Sequence, residues 1–215
     1  MSAVSTETVD RPVATSILVG RQWVLPFVVA AGASAILLVH FHDRSWWPPD
    51  EGAYAHVAER ILAGEVLNLT IQDIHAGYIN FANALAFAIF GDSLVSLRYP
   101  LVAMGLVQAG VMFALFACRG AVAAVVASVA LTALSFIQFP NPTAHWYSLF
   151  LTVLAMACLA GWPRGSRWRL FVLGVIVGTL FLFRQLSGAI IAIAVVSYVT
   201  CESAATRATR IAGGV

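Results

Sequence analysis

Long apolar segments separated by short polar ones dominate this chain. They cover 23–41, about 98–117, 121–139, 144–162, 169–184 and 186–201. A helix needs about 20 apolar residues to cross roughly 30 Å of hydrocarbon, so these six predict spanning helices. A seventh stretch, Gly77 to Phe90, has 14 residues and encloses Asn80 and Asn83. At about 1.5 Å per residue it reaches only about 21 Å. It predicts an interfacial or re-entrant helix, not a span.

Between the first two spans the pattern changes. Pro48-Pro49 stops the first helix from running on, and Asp50 is well placed to cap a new one over 51–63. Tyr54, Val57, Ala58, Ile61 and Leu62 then recur at helical spacing as one apolar stripe. Gly64 supplies a C-terminal stop. The pattern is that of an amphipathic helix lying on a membrane.

Composition agrees. Apolar residues make up 60% of the chain and charged residues 10%, too little polar surface for a soluble domain of this length. The expected class is all-α: a polytopic bundle of about six spans with an outer loop, 42–97, holding two interfacial helices. A net charge of +2 with no basic cluster gives no sign of a nucleic-acid partner. Cys118, Cys158 and Cys201 show no metal spacing and read as small packing residues. The first apolar run has no small-residue cleavage site after it and reads as a retained signal anchor.

Charge sets the direction. All twelve basic residues are arginine. With a cytoplasmic N-terminus and 77–90 not crossing, Arg11, Arg21, Arg119, Arg164, Arg167, Arg169, Arg207 and Arg210 face the cytoplasm. Arg44, Arg60, Arg98 and Arg184 lie at the outer side. A crossing at 77–90 reverses the count, so the positive-inside rule favours the first arrangement. All six tryptophans fall at predicted membrane edges, and all five histidines on the outer side. The expected protein is thus a multi-pass cell-membrane protein with tails 1–22 and 202–215 in the cytoplasm.

Seven of the ten acidic residues lie between Asp43 and Asp92, which concentrates the candidate chemistry in the outer loop. Asp50 and Glu51 have two readings, as a helix cap with a dipole partner or as a carboxylate pair holding a general base. The two do not exclude each other. His75, ahead of the second short helix, is either a surface residue or a phosphate ligand at a helix N-terminus. Asn68-Leu69-Thr70 matches a glycosylation sequon.

The order of these parts resembles the first outer loop of the GT-C glycosyltransferases, in particular the protein mannosyltransferase and lipid A aminoarabinose transferase group. The matching parts are a signal anchor, Asp50-Glu51-Gly52-Ala53-Tyr54, and a helix ending Ile61-Leu62-Ala63-Gly64. They continue with His75-Ala76-Gly77-Tyr78, Phe90-Gly91 and Arg98-Tyr99-Pro100. The resemblance covers about 23–200 and is specific over 48–100. It implies transfer of a sugar from a polyprenyl-phosphate donor to an extracytoplasmic glycan, lipid or protein acceptor. Asp50, with Glu51, would be catalytic. Tyr54, His75, Tyr78, Arg98 and Arg184 would bind substrate, His75 and Arg184 on the lipid phosphate. No cofactor is implied. The second outer loop, Gln138 to His145, lacks the acidic residue that some relatives have, which weakens the case for a metal. The chain is shorter than is usual for the family, so a truncated or inactive member is one expectation. The competing expectation is a non-catalytic membrane subunit or a small lipid- or solute-handling protein. Charges are nearly absent from the middle of the spans, which argues against a transporter.

Overall fold

A computed structural model describes residues 20–73 and 77–212, with side chains described to 205. The tail expected over 1–22 lies outside this range for all but its last three residues. His75, Arg207 and Arg210 lie outside the described residues or side chains. Among the described residues eight α-helices follow one another: α1 Val24–Phe41, α2 Pro48–Leu62, α3 Gly77–Phe90, α4 Tyr99–Phe116, α5 Ala121–Leu134, α6 Ala144–Gly161, α7 Arg167–Phe183 and α8 Gln185–Ala212. Among the described residues there is no β-strand, only an isolated bridge between Leu67 and Ile71. The all-α expectation holds.

Among the described residues four helical stretches are long and apolar enough to cross a membrane: Arg21–Phe41, Leu94–Arg119, Ala144–Gly161 and Gln185–Ala205. The other two expected spans come out shorter. α5 has 14 residues and stops at Leu134, ahead of the proline-bearing segment 139–142. α7 has 17 residues and opens on Arg167-Trp168-Arg169. α8 runs on through 202 to Ala212.

α1, α4 and α5 form one packed unit. Ala30, Phe113 and Ala124 meet near one end, joined by Trp23, and Leu38, Leu101 and Phe136 meet near the other. Small polar groups let these backbones approach. Ser128 Oγ donates to the Ala109 carbonyl at 2.9 Å, and Thr132 Oγ1 lies 3.2 Å from Ser34 Oγ. Gly105 makes this contact close, because a Cβ there would sit 3.0 Å from the Leu38 methyls.

α6, α7 and α8 form the second part of the bundle. α7 and α8 turn back on each other with Arg184 alone between them. Gly188 makes the turn possible, since a Cβ there would lie 2.4 Å from the Phe181 backbone. Gly174 and Gly178, which small-residue reasoning would place at such a contact, have nothing within 4 Å of a built Cβ. At the far end of the hairpin, buried Arg169 bonds Glu202 at 2.6 Å, and Arg164 joins it at 3.0 Å.

α2 and α3 sit at one end of the bundle. The start of α3 reaches α7 through Tyr78 and Phe183, with ring centroids 5.9 Å apart. Its other end reaches the start of α4 through Phe90 and Tyr99, at 5.1 Å. Phe183 closes α7 and Tyr99 opens α4, so both ends of α3 meet residues at the same end of the bundle.

Candidate functional site

The segment before α2 is set by two prolines and one buried ion pair. α2 begins at Pro48, with Trp47 in the capping position and no side-chain cap. This corrects the expectation that Asp50 caps a helix over 51–63. Prolines at the first two positions are tolerated because their missing N–H groups would have no helical partner there. Glu51 instead reaches back, its Oε2 accepting from the Trp47 backbone N–H at 2.9 Å. The far end stops as expected. Gly64, at φ 91°, completes a pair of bonds from Glu65 N–H to Arg60 O and Gly64 N–H to Ile61 O, both 3.0 Å, which satisfies the last carbonyls.

Glu51 and Arg98, expected to be catalytic and substrate-binding, are both 1% exposed. Arg98 Nε and Nη2 donate to Glu51 Oε1 at 2.9 and 2.5 Å. Its Nη1 donates to the carbonyls of His42 at 2.9 Å and Arg44 at 2.6 Å. The guanidinium also lies 3.6 Å from the centre of the Trp46 ring. With every arm committed, Arg98 has nothing left for a ligand. The pair is a strut that ties the α1–α2 turn to the start of α4.

Asp50, one residue earlier, is exposed. Its Oδ2 accepts from Asn141 Nδ2 at 3.1 Å, which joins α2 to the loop before α6. Around it runs a chain of polar contacts. Asn83 Nδ2 donates to the Pro142 carbonyl at 3.4 Å. Asn80, one helical turn from Asn83 on α3, donates to Asp73 Oδ2. Tyr54 feels both carboxylates. Burial, then the charges of Asp50 and Asp73, push its hydroxyl up to about 12, because each disfavours a phenolate.

Tyr147 closes the cluster from α6, stacked on Phe183 at 4.6 Å. Four buried polar atoms here have no hydrogen-bond partner: Oδ1 of Asn80, Asn83 and Asn141, and the Tyr147 hydroxyl. Sequence reasoning used Asn80 and Asn83 only to argue that 77–90 does not span. Their spacing of three, which puts two amides on one helical face, was a usable signal. Asn141, held between Pro140 and Pro142, gave none beyond its polarity.

Tyr78 and Arg184 come near this cluster without touching Asp50 in any recorded bond. Tyr78 is half-exposed and meets Phe183. Arg184, exposed at the α7–α8 turn, lines a groove of about 400 Å³ with His145, Trp146, Ser148, Leu149 and Ile190. Its lining is mostly apolar and includes the basic side chains Arg184 and His145. Among the described residues no group of three or more His, Cys, Asp or Glu could hold a metal. Cys158 is buried, while Cys118 and Cys201 are exposed, so only the first packs as expected. In the sequon segment, Thr70 Oγ1 is engaged with the Val66 backbone N–H at 3.0 Å.

The chain matches no protein-family model, no curated protein and no solved structure.

Proposed function

We propose that this protein is a membrane-embedded glycosyltransferase of the GT-C kind, moving a sugar from a polyprenyl-phosphate donor to an extracytoplasmic acceptor. The reading is carried by the surroundings of Asp50. An exposed carboxylate, held at 3.1 Å by Asn141, sits at the same end of the bundle as a groove bearing Arg184 and His145. Asp50 is the base that takes the proton from the acceptor hydroxyl as its oxygen attacks the anomeric carbon, whose bond to the phosphate oxygen breaks and releases the polyprenyl phosphate. The groove takes the lipid, its phosphate against Arg184 and its chain along Leu149 and Ile190. Glu51 and Arg98 hold the loop and touch neither substrate.

The topology belonging to this reading has six spans, with both termini cytoplasmic and α2 and α3 on the outer surface. α5 and α7 then cross as short helices of 14 and 17 residues.

Asp50→Asn keeps the size of the side chain and removes its basicity. It should abolish transfer from a polyprenyl-phosphate sugar to an acceptor, with helix content and membrane insertion unchanged. Transfer retained by that variant would remove Asp50 from the mechanism. A photo-crosslinking polyprenyl-phosphate analogue should label peptides around Arg184. No labelling there would favour the outer end as a docking surface of a non-catalytic subunit.

A further inference from the structure

α7 and α8 touch at both ends of their hairpin and part between them. At the turn, Gly188 lies against the Phe181 backbone. At the far end Arg169 bonds Glu202 at 2.6 Å. Between these contacts runs an apolar groove of about 260 Å³, whose lining includes Leu173, Gly174, Val177, Ala192, Val195 and Val199. Small residues on both helices keep it open, and a Cβ at Gly174 would meet nothing within 4 Å. The groove reaches Leu170 and Thr200, the neighbours in sequence of Arg169 and Glu202, so it runs to the arginine end of the hairpin.

That end is positively charged. Arg164 and Arg169 share Glu202, and Arg167, between them in sequence, is exposed. Three arginines thus gather on one carboxylate. Trp162 and Trp168 are exposed alongside, and indoles of this kind sit at the level of the lipid headgroups. A positive patch at headgroup level and an apolar groove running away from it match the two parts of a phospholipid.

We propose that this end of the hairpin binds one anionic phospholipid, its phosphate against Arg167 and Arg164 and one acyl chain in the groove. Charge and shape select this occupant. A zwitterionic headgroup brings its own cation and leaves the arginine excess unmet. A second helix, about 10–12 Å across with its side chains, is too wide to lie within the groove. Free phosphate would meet the arginines and leave the apolar walls uncovered. Basic pockets between spanning helices hold anionic headgroups in this way. The site is at the opposite end of the hairpin from Arg184 and stands apart from the transferase reading.

The test is native mass spectrometry of the full chain in detergent, titrated with dioleoyl phosphatidylglycerol or dioleoyl phosphatidylcholine. One phosphatidylglycerol should bind at least about fivefold more tightly than phosphatidylcholine, the preference expected of one arginine beside an anionic lipid. Arg167→Gln should remove most of that preference. Gly174→Leu should weaken both lipids about tenfold, the effect of leaving about two methylenes unburied, and keep the preference between headgroups. Ala192→Leu narrows the groove from the other helix and should act alike, which decides the matter if Gly174→Leu lowers helix content. Arg184→Gln should change neither affinity nor preference.

Equal binding of the two lipids would overturn the proposal, as would a preference that survives Arg167→Gln. Loss of the preference in Arg184→Gln would move the anionic lipid to the other end of the hairpin. Displacement by inorganic phosphate, or full affinity in folded groove variants, would reduce the site to a surface charge. A dimer of the parent that Gly174→Leu abolishes would give the groove to a second copy of the chain.

Discussion

At the scale of single residues, Asp50 and Glu51 are adjacent in sequence and opposite in circumstance. A helix turns about 100° per residue, so one carboxylate faces the open end of the molecule and the other faces Arg98. This divides their expected mutant behaviour. Glu51→Ala leaves Arg98 buried without its counter-charge, a loss of about 3–5 kcal/mol for a broken buried pair. Thermal unfolding of the purified protein should show that loss, and Asp50→Asn should show almost none. Arg98→Lys should behave like a disruption too, since an ammonium cannot make the same fork of bonds or lie flat on Trp46. Tyr54 supplies a check of the electrostatics. Its hydroxyl is pushed up to about 12 by burial and the two nearby carboxylates, against about 10 for an unfolded tyrosine. A folded value above the unfolded one gives stability that is complete below about pH 10 and is lost as pH rises towards 12. The ultraviolet difference spectrum between the parent and Tyr54→Phe should therefore show a tyrosinate that forms only near pH 12. A difference appearing near pH 10 would place Tyr54 in water and open the cluster to solvent.

Among the elements, helix type was legible throughout and helix face was not. Runs of apolar residues identify α1, α4, α6 and α8 because burial in lipid demands little else. The stripe expected on α2 was Tyr54, Val57, Ala58, Ile61 and Leu62. The buried face is Glu51, Tyr54, Ala55 and Ala58, and Leu62 is 51% exposed. A charged residue lies at the centre of the buried face because Arg98, 47 residues away, neutralises it. Spacing along one helix carries no information about such a partner. The same limit explains Asn141, whose importance depends on Asp50, 91 residues earlier. Gly188 shows the converse. A glycine near the start of a predicted span looked unremarkable, yet the α7–α8 turn cannot close with a larger residue against the Phe181 backbone. Gly188→Val should separate that hairpin, and the Arg169–Glu202 contact at its other end should loosen with it. Greater protease sensitivity at 162–167 is the expected reading, with Gly178→Ala, which meets open space, as the silent control.

For the whole molecule, the proposed transferase function depends on which side of the membrane the Asp50 end faces. A base for an extracytoplasmic acceptor must lie outside, which requires 42–97 outside and α3 not crossing. The contacts of α3 support this, because Tyr78 and Phe90 at its two ends meet Phe183 and Tyr99 at one end of the bundle. A crossing helix would put those ends on opposite sides. Arginine placement points the same way, with Arg164 and Arg169 at the far end of the α7–α8 hairpin, gathered on Glu202. Single cysteines at Ser45, Ser93 and Ser166, in a chain with Cys118, Cys158 and Cys201 replaced, report the arrangement to a membrane-impermeant thiol reagent. Ser45 and Ser93 are exposed and Ser166 is partly so, which keeps all three within the reagent's reach once the membrane is opened. In intact cells the cysteines at 45 and 93 should be labelled and the one at 166 protected until detergent is added. Labelling at 166 with protection at 93 would mean that α3 crosses. Asn80 and Asn83 would then lie inside the bilayer, parted from their partners Asp73 and Pro142, and Asp50 would lose its place at one end of the bundle with the Arg184 groove.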